Sequence, residues 1–341
     1  MRSRLRFAIP CAAALLIGPG SSCTRLDDPA ATGTGPYAVR EQAYVWYDVS
    51  RLRPLPVRIY APDSDGGPFP LLVFSPGTGN SRDHYTFLGR HWAGQGYVAV
   101  FVTHPETDED VIYGEQRPAL IVLQAVYEAV QQISLRWDRP LDVSFALDQV
   151  AADPKLSAQV DWNRVGVAGH SLGAYTALQL IGMQVAGLPA AHAELADARV
   201  KAVVALSPPG PGSLGLDEQS WDAITMPCMT IAGTLDVDPV THSPTLRKMV
   251  FERSPGPDQY FVTLENATHG TFDDRSPWAL DRLLHPQYAA YIADASTAFL
   301  NAYLRGDGAA QADLLDGSLE RDSDGVCTVE FKNVTLIDGG D

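Results

Sequence analysis

Short apolar runs alternate with segments of helical length along most of this chain, and this alternation constrains its fold more than any other feature. Continuous apolar runs are typical of strands that are covered on both faces. Helices between such strands place the strands parallel to one another. The sequence therefore predicts an α/β protein with a mainly parallel central sheet and helices on both faces. The predicted strands lie at residues 71–74, 97–102, 165–168, 200–206, 228–232 and 260–264.

Further elements are predicted around this sheet. Aromatic and β-branched residues at 43–49 and 57–60 indicate an antiparallel hairpin at the entry to the sheet. The polar segment after Arg305 has no pattern that predicts its place in the fold. Helices are predicted at residues 83–93, 141–152, 174–181 and 286–304, with an apolar helix that starts near Pro118.

The first 22 residues have the pattern of an export signal. Three arginines at positions 2, 4 and 6 precede an apolar stretch that is too short to cross a bilayer, and small residues then lead to Cys23. The segment before Cys23 resembles the signal of bacterial lipoproteins, whose cysteine is lipid-modified, although that signal prefers Leu to the Gly20 found here. We expect an exported protein that is either secreted or periplasmic, or lipid-anchored through Cys23.

The net charge and the cysteine content restrict which partners and which cysteine redox states are expected. The 341 residues carry a net charge of −16 without a cluster of Lys or Arg, which argues against nucleic acid as a partner. After removal of the signal, an oxidising compartment would permit a disulfide between Cys228 and Cys327. A buried free thiol at Cys228 fits its apolar surroundings equally well, and spacing does not decide between the two.

One pentapeptide, Gly-His-Ser-Leu-Gly at residues 169–173, is the only Gly-x-Ser-x-Gly in the chain. It follows a predicted strand and opens a helical stretch, so Ser171 is expected in a tight strand-to-helix turn that exposes its hydroxyl. The flanking glycines allow strand and helix to approach without a Cβ clash. The helix N-terminus also places N–H groups where an oxyanion would form. Ser171 is the predicted nucleophile.

A serine hydroxyl is a weak nucleophile and requires a histidine as base. In a hydrolase of this topology the chain order is nucleophile, acid, histidine, which excludes every histidine before Ser171. Of the four later ones, only His269 lies in a short loop directly after a predicted strand. His269 is therefore the predicted base, in preference to His192, His242 and His285.

The carboxylate that orients this base is predicted in the loop after the strand at 228–232. Asp236 and Asp238 both lie there. Asp236 is preferred, because Asp238 precedes Pro239 and a residue before proline is biased towards an extended turn position.

An oxyanion hole requires two N–H donors, and the sequence offers one on each side of the predicted site. Leu172 follows the nucleophile, and Thr78 lies in a Gly-rich loop after the strand at 71–74. Segments 104–140 and 207–215 are predicted to form the walls of a substrate pocket, with Tyr113, Phe272 and Trp278 as candidates to line it.

These segments resemble members of the α/β-hydrolase superfamily that are related to platelet-activating-factor acetylhydrolase and dienelactone hydrolase, with bacterial cutinases and polyester hydrolases as relatives. The resemblance is carried by residues 74–79, 96–98, 104–105, 142–148 and 169–173. It implies an α/β-hydrolase fold over 37–304 and esterase chemistry, with Ser171, Asp236 and His269 as triad and with Thr78 and Leu172 as oxyanion donors. Thr78 departs from the aromatic residue that polyester hydrolases usually have there.

The sequence thus predicts an exported serine carboxylesterase without cofactor or metal. The predicted segments are a signal peptide at 1–22, a flexible tether at 23–36, a catalytic domain at 37–306 and a C-terminal extension at 307–341. A small-molecule, lipid or polymer ester is the expected substrate. The alternatives are a phospholipid acetylhydrolase, a cutinase-like polyester hydrolase, and a non-catalytic binding module on the same fold. Acidic residues at 320–325 with Glu330 faintly resemble a calcium loop, but an acidic surface turn is expected.

Overall fold

The computed structural model describes residues 35–114, 119–132, 134–237, 243–275 and 285–337. Within these ranges nine strands form one sheet in the order β1-β2-β4-β3-β5-β6-β7-β8-β9. The predicted signal peptide, Cys23 and the tether up to residue 34 lie outside the described residues. The strands are β1 (Val39–Asp48), β2 (Arg53–Pro62), β3 (Phe69–Ser75), β4 (Val98–Val102), β5 (Val160–His170), β6 (Val200–Leu206), β7 (Cys228–Gly233), β8 (Gln259–Leu264) and β9 (Cys327–Lys332).

The centre of the sheet is parallel and its margins are antiparallel. Strands β3 to β8 pair in parallel with their neighbours. The β1–β2 hairpin joins one side of this core in antiparallel pairing, and β9 joins the other side in the same way. The prediction of a mainly parallel sheet with an entry hairpin is confirmed.

Helices cover both faces of the sheet. The helices are α1 (Thr86–Gly94), α2 (Glu109–Ile112), α3 (Ala119–Gln131), α4 (Leu135–Ala152), α5 (Pro154–Ser157), α6 (Leu172–Gln179), α7 (Met249–Arg253), α8 (Gln287–Leu300), α9 (Gly308–Leu315) and α10 (Ser318–Asp322), with a π-helical turn, Asn301–Arg305, after α8. One core contains α4, α6 and Leu71 of β3, and the other contains α1, α8 and the adjacent Leu72. Neighbouring residues of β3 thus enter opposite cores, as expected for a strand. No helix among the described residues is long and apolar enough to cross a bilayer.

Helix α4 starts six residues before the predicted position, because Pro140 does not interrupt it. A proline inside a helix leaves the carbonyl four residues earlier without its intrahelical donor. Here that carbonyl belongs to Arg136, and the Gln179 side chain of α6 donates to it from 2.6 Å. A contact from another helix therefore replaces the hydrogen bond that Pro140 removes.

The C-terminal segment belongs to the same sheet. Strand β9 pairs with β8 over the full length of both strands, from Gln259 opposite Lys332 to Leu264 opposite Cys327. Leu314 of α9 lies in the core that α8 also fills. The residues predicted as an extension therefore complete one edge of the sheet.

Cys228 and Cys327 are both buried free thiols. Cys228 lies opposite Gln259 of β8, and Cys327 lies opposite Leu264 at the other end of that strand. Five residues of strand span about 16 Å, whereas the Cα atoms of a disulfide lie within about 7 Å of each other. The two side chains also belong to different cores. In the structure Cys228 and Cys327 are therefore free thiols and do not form a disulfide.

A leucine pair tests whether the C-terminal segment supports the fold. Leu314 is 1% exposed and Leu336 is 74% exposed. We expect Leu314→Ala to lower the free energy of unfolding by about 2–5 kcal/mol, because it opens a cavity in the core. Leu336→Ala, the same change at an exposed site, should stay within about 0.5 kcal/mol of wild type. Urea denaturation measures both, and equal midpoints for the two variants would contradict the packing of α9.

Candidate active site

Ser171 occupies a strained turn between β5 and α6. Its backbone has φ 56° and ψ −119°, a conformation that residues other than glycine rarely adopt. Such strain costs about 1–3 kcal/mol and persists only where the surroundings impose it. Here the Ser171 N–H donates to the Leu206 carbonyl at the end of β6 (2.9 Å), and its own carbonyl accepts from Tyr175 N–H in α6 (3.1 Å). The hydroxyl is thus held at the carboxyl edge of the sheet.

The two glycines of the pentapeptide are required by close approach. A Cβ atom on Gly173 would lie 1.8 Å from the Ser75 carbonyl oxygen, and one on Gly169 would lie 2.3 Å from the Gly173 carbonyl oxygen. The first turn of α6 therefore packs directly on the end of β3. This contact brings the turn that carries Ser171 beside the Gly-rich loop, residues 76–79, that follows β3.

The structure brings Ser171, His269 and Asp236 together. His269 Nε2 lies 3.0 Å from Ser171 Oγ, and His269 Nδ1 lies 3.0 Å from Asp236 Oδ1. Each residue follows the carboxyl end of a different parallel strand: β5, β7 and β8. The side chains that the sequence assigned to one site are thus within hydrogen-bond distance of one another.

Asp236 is a fully buried carboxylate that several groups stabilise. Burial alone would raise its pKa, but His269, the Arg247 guanidinium and the Ser207 hydroxyl outweigh that effect and hold the pKa of Asp236 far below its ordinary value. Arg247 NH2 lies 3.2 Å from Asp236 Oδ1. Because an ionised carboxylate only accepts hydrogen bonds, His269 Nδ1 donates to it. In the neutral imidazole, Nε2 is then the acceptor that faces Ser171 Oγ.

The two predicted oxyanion donors have N–H groups without a hydrogen bond to any described residue. In the Gly-rich loop, Gly77 N–H donates to the Tyr85 hydroxyl (3.2 Å) and Gly79 N–H donates to the Thr107 carbonyl (2.7 Å). Pro76 has no N–H. Thr78 is therefore the residue of this loop whose N–H has no partner among the described residues, and Leu172 has a corresponding N–H at the start of α6.

His170, directly before the predicted nucleophile Ser171, is a buried neutral imidazole. The Tyr85 hydroxyl accepts hydrogen bonds from Gly77 N–H and from Asn80 Nδ2, so its own proton goes to His170 Nδ1 at 2.9 Å. Burial lowers the pKa of His170 far below its ordinary value. Its ring centroid lies 4.7 Å from that of His269. A neutral ring at this distance packs beside His269 without repelling a positive charge on that imidazole.

Sequence reasoning missed the contacts that Arg247, Ser207 and His170 make in this site, although it placed Ser207 in the predicted pocket wall at 207–215. Ser207 directly follows β6 at the carboxyl edge, so its position after a strand is a signal that the sequence contains. Arg247 lies in a 3-10 turn, Pro244–Lys248, and has no comparable signal. Its contacts arise only from the folding of that turn over Asp236.

The remaining site predictions have different outcomes. Asp238, His242 and Trp278 lie outside the described residues. Phe272 is fully buried and packs on His170 with a centroid distance of 5.4 Å, so it belongs to the core. The Tyr113 ring lies over Gly79, where a Cβ atom would approach it to 2.9 Å. Tyr113 therefore covers the Gly-rich loop.

Within the described residues, no three His, Cys, Asp or Glu side chains group together in a way that would hold a metal ion. A scan of the sequence against models of known protein families finds no match.

A glycine substitution tests the contact between α6 and β3. We expect Gly173→Ala to lower the free energy of unfolding by about 1–3 kcal/mol, because the added methyl group overlaps the Ser75 carbonyl and forces the backbone to shift. Gly66→Ala is the control, since its Cβ would meet the Ser64 hydroxyl at 3.2 Å and the edge of the Phe69 ring at 3.9 Å, and no backbone atom. Denaturation midpoints in urea compare the two, and a Gly173→Ala protein as stable as wild type would be inconsistent with this packing.

Proposed function

We propose that this chain is a serine hydrolase of the α/β-hydrolase fold that cleaves carboxylic esters. The observation that carries the proposal is the 3.0 Å distance between Ser171 Oγ and His269 Nε2, with Asp236 behind the imidazole. Nucleophile, base and orienting carboxylate in hydrogen-bond contact define this type of catalysis by their geometry. The nine-stranded, mainly parallel sheet with the strained serine turn supports the assignment of the fold.

The reaction begins with proton transfer from Ser171 Oγ to His269 Nε2. As the proton leaves, Oγ attacks the ester carbonyl carbon and the carbonyl oxygen becomes an oxyanion. The ionised Asp236 holds the imidazole in the tautomer that accepts this proton and stabilises the imidazolium that forms. Arg247 keeps the Asp236 carboxylate ionised and fixed in place.

The oxyanion is stabilised by the N–H groups of Leu172 and Thr78. Each N–H that points at the developing charge contributes about 3–4 kcal/mol to transition-state stabilisation. Collapse of the intermediate breaks the bond to the alcohol, which takes the proton from His269 Nε2. The acyl group then remains on Ser171 Oγ.

Water completes the cycle by the same steps. His269 takes a proton from the water, the hydroxide attacks the acyl carbon, and the second intermediate releases the carboxylic acid and returns the proton to Ser171. All of these steps use groups of the chain, so the proposal requires no cofactor. The basic and apolar pattern before Cys23 supports export, as a secreted, periplasmic or lipid-anchored enzyme.

A second candidate is the hydrolysis of lipid or polymer esters. Leu235 and Val237 flank the buried Asp236 and are 53% and 44% exposed, so the loop that carries Asp236 presents apolar side chains at the surface. These side chains favour an apolar acyl or alcohol group. Thr78 disfavours the polyester variant, because the aromatic residue usual at that position in polyester hydrolases is absent.

A covalent probe tests the nucleophile. A fluorophosphonate should label the wild-type protein at Ser171, as mapped by peptide mass spectrometry, and Ser171→Ala should abolish both labelling and the hydrolysis of short p-nitrophenyl esters. The rate should fall by at least about 10³-fold, because removal of a triad member leaves only the oxyanion hole and binding. Wild-type turnover by a folded Ser171→Ala protein would refute the mechanism. An unlabelled, inactive wild type would instead favour a non-catalytic binding module.

The tautomer argument gives a second prediction. Asp236→Asn should lower kcat by about 10⁴-fold, because the amide can donate to Nδ1 and so select the tautomer whose Nε2 carries the proton. Steady-state kinetics on a short ester measures the effect, and circular dichroism verifies the fold. Glu218→Gln, which removes a negative charge from an exposed side chain paired with Arg253, is the matched control. A kcat within tenfold of wild type for Asp236→Asn would exclude Asp236 as the orienting carboxylate.

A further inference from the structure

A second array of serine, histidine and aspartate lies behind the Gly-rich loop. Ser75 Oγ is 2.9 Å from His104 Nε2, and His104 Nδ1 is 2.8 Å from Asp142 Oδ2. All three side chains have no exposure to solvent. Because no substrate can reach a hydroxyl that is fully enclosed, this array is not a second active site. Its effect must come from the groups that it holds in place.

The direction of each hydrogen bond in the array follows from the charges around it. Asp142 pairs with Arg51 at 2.8 Å and with Arg53 at 2.9 Å, so it is the acceptor for His104 Nδ1–H. His104 Nε2 then accepts the proton of Ser75 Oγ. Burial, with Arg139 nearby, lowers the pKa of His104 far below its ordinary value, which keeps this imidazole neutral. Ser75 Oγ is left as an acceptor, and Arg139 NH2 donates to it from 3.3 Å.

Arg139 connects this array to the Gly-rich loop. Its NH2 group also donates to the Pro76 carbonyl, and its NH1 group donates to Thr107 Oγ1. The Thr107 carbonyl accepts the Gly79 N–H at 2.7 Å. One buried guanidinium thus holds the residues on both sides of Thr78.

The same guanidinium also reaches the start of α6. Arg139 Nε donates to Thr176 Oγ1 at 3.1 Å, and Thr176 Oγ1 donates to the Leu172 carbonyl at 2.9 Å. Leu172 and the Gly-rich loop belong to separate elements of the chain. Arg139 is therefore a rigid fork that links the two peptide segments that carry the N–H groups of Thr78 and Leu172.

We infer that Arg139, oriented by Ser75, His104 and Asp142, sets the separation of the Thr78 and Leu172 N–H groups. This inference rests on the proposed function, in which both groups bind one oxyanion. Two donors stabilise a single oxygen only when both lie about 2.7–3.1 Å from it. The planar guanidinium has donors in fixed directions, so a hydrogen-bonded fork defines the distance between its partners. Arg139, Ser75, His104, Asp142 and Thr176 are positioning residues that do not touch the substrate.

Each branch of the fork can be cut without a change at the triad. Ser75→Ala removes the hydroxyl between Arg139 and His104, and Thr176→Val removes the hydroxyl between Arg139 and Leu172. We expect kcat per labelled site to fall about 10- to 100-fold in each variant, since a displacement of up to about 1 Å has effects of this size. KM should stay within about threefold, because the weakened contacts to the oxyanion act only in the transition state. Thr176→Ser keeps the hydroxyl and should restore most of kcat.

Two readouts separate positioning from a loss of stability. Titration with the fluorophosphonate counts the active sites, so that kcat refers to folded enzyme. The ratio of kcat/KM for p-nitrophenyl acetate to that for its thiono analogue reports on the oxyanion hole, because sulfur accepts hydrogen bonds from N–H groups weakly. This ratio should fall in Ser75→Ala and in Thr176→Val. The controls are Ser296→Ala and Thr230→Val, which alter fully buried hydroxyls elsewhere and should leave the ratio at the wild-type value.

The outcomes distinguish this inference from the proposed function. Wild-type kcat per site and a wild-type ratio in both variants would overturn the inference and leave the esterase proposal intact. An equal fall of the ratio in the two controls would overturn it as well. A wild-type protein that hydrolyses no ester and takes no label would overturn both proposals. If Ser75→Ala does not fold, Thr176→Val and Thr176→Ser alone decide the question.

Discussion

The contact between the first turn of α6 and the end of β3 is the constraint on which the site depends. Gly173 packs so closely on the Ser75 carbonyl that no side chain larger than hydrogen fits between them. This approach forces the turn at Ser171 into its strained conformation and brings the Leu172 N–H beside the Gly-rich loop. A helix set further from the strand would relieve the strain, but it would also separate the two N–H groups that the proposed mechanism requires.

Two buried arginines stabilise different parts of the site. Arg247 pairs with Asp236 behind the imidazole of His269, and Arg139 holds the Gly-rich loop and α6. A buried cation is costly unless its donors are satisfied, and both guanidinium groups donate mainly to backbone carbonyls, hydroxyls and a carboxylate. Their burial therefore fixes loops that have no regular secondary structure. The hydrogen bonds of the two guanidinium groups offset the cost of burying their charge, and they hold the neighbouring peptide groups in place.

The parallel strands are predictable from their apolar runs. The serine turn and the contact of Ser171, Asp236 and His269 are predictable because each of these residues follows the end of a strand. Pro239, which follows Asp238, made Asp236 the preferred candidate of the two for the orienting carboxylate. Strand β9 could not be predicted, since half of its side chains are polar and it pairs through one edge only. Helix α4 starts earlier than the sequence predicts, because Gln179, distant in the sequence, donates a hydrogen bond to the carbonyl that Pro140 leaves without an intrahelical donor. The contacts of Arg247 and Arg139 could not be predicted, because no sequence pattern indicates them.

Within the described ranges, the same three residue types occur twice in nearly the same geometry, and their surroundings distinguish the two arrays. Ser75 ends a regular strand, and Arg139 saturates its hydroxyl in a fully enclosed position. Ser171 lies in a strained turn beside an imidazole that is 38% exposed, and the N–H groups of Thr78 and Leu172 have no partner in the part of the chain that the structure describes. A serine, a histidine and an aspartate that are linked by hydrogen bonds are therefore not enough to make the serine a nucleophile. Access for an ester and donors for its oxygen are what make the array at Ser171 competent for the proposed chemistry, while the array at Ser75 supports it.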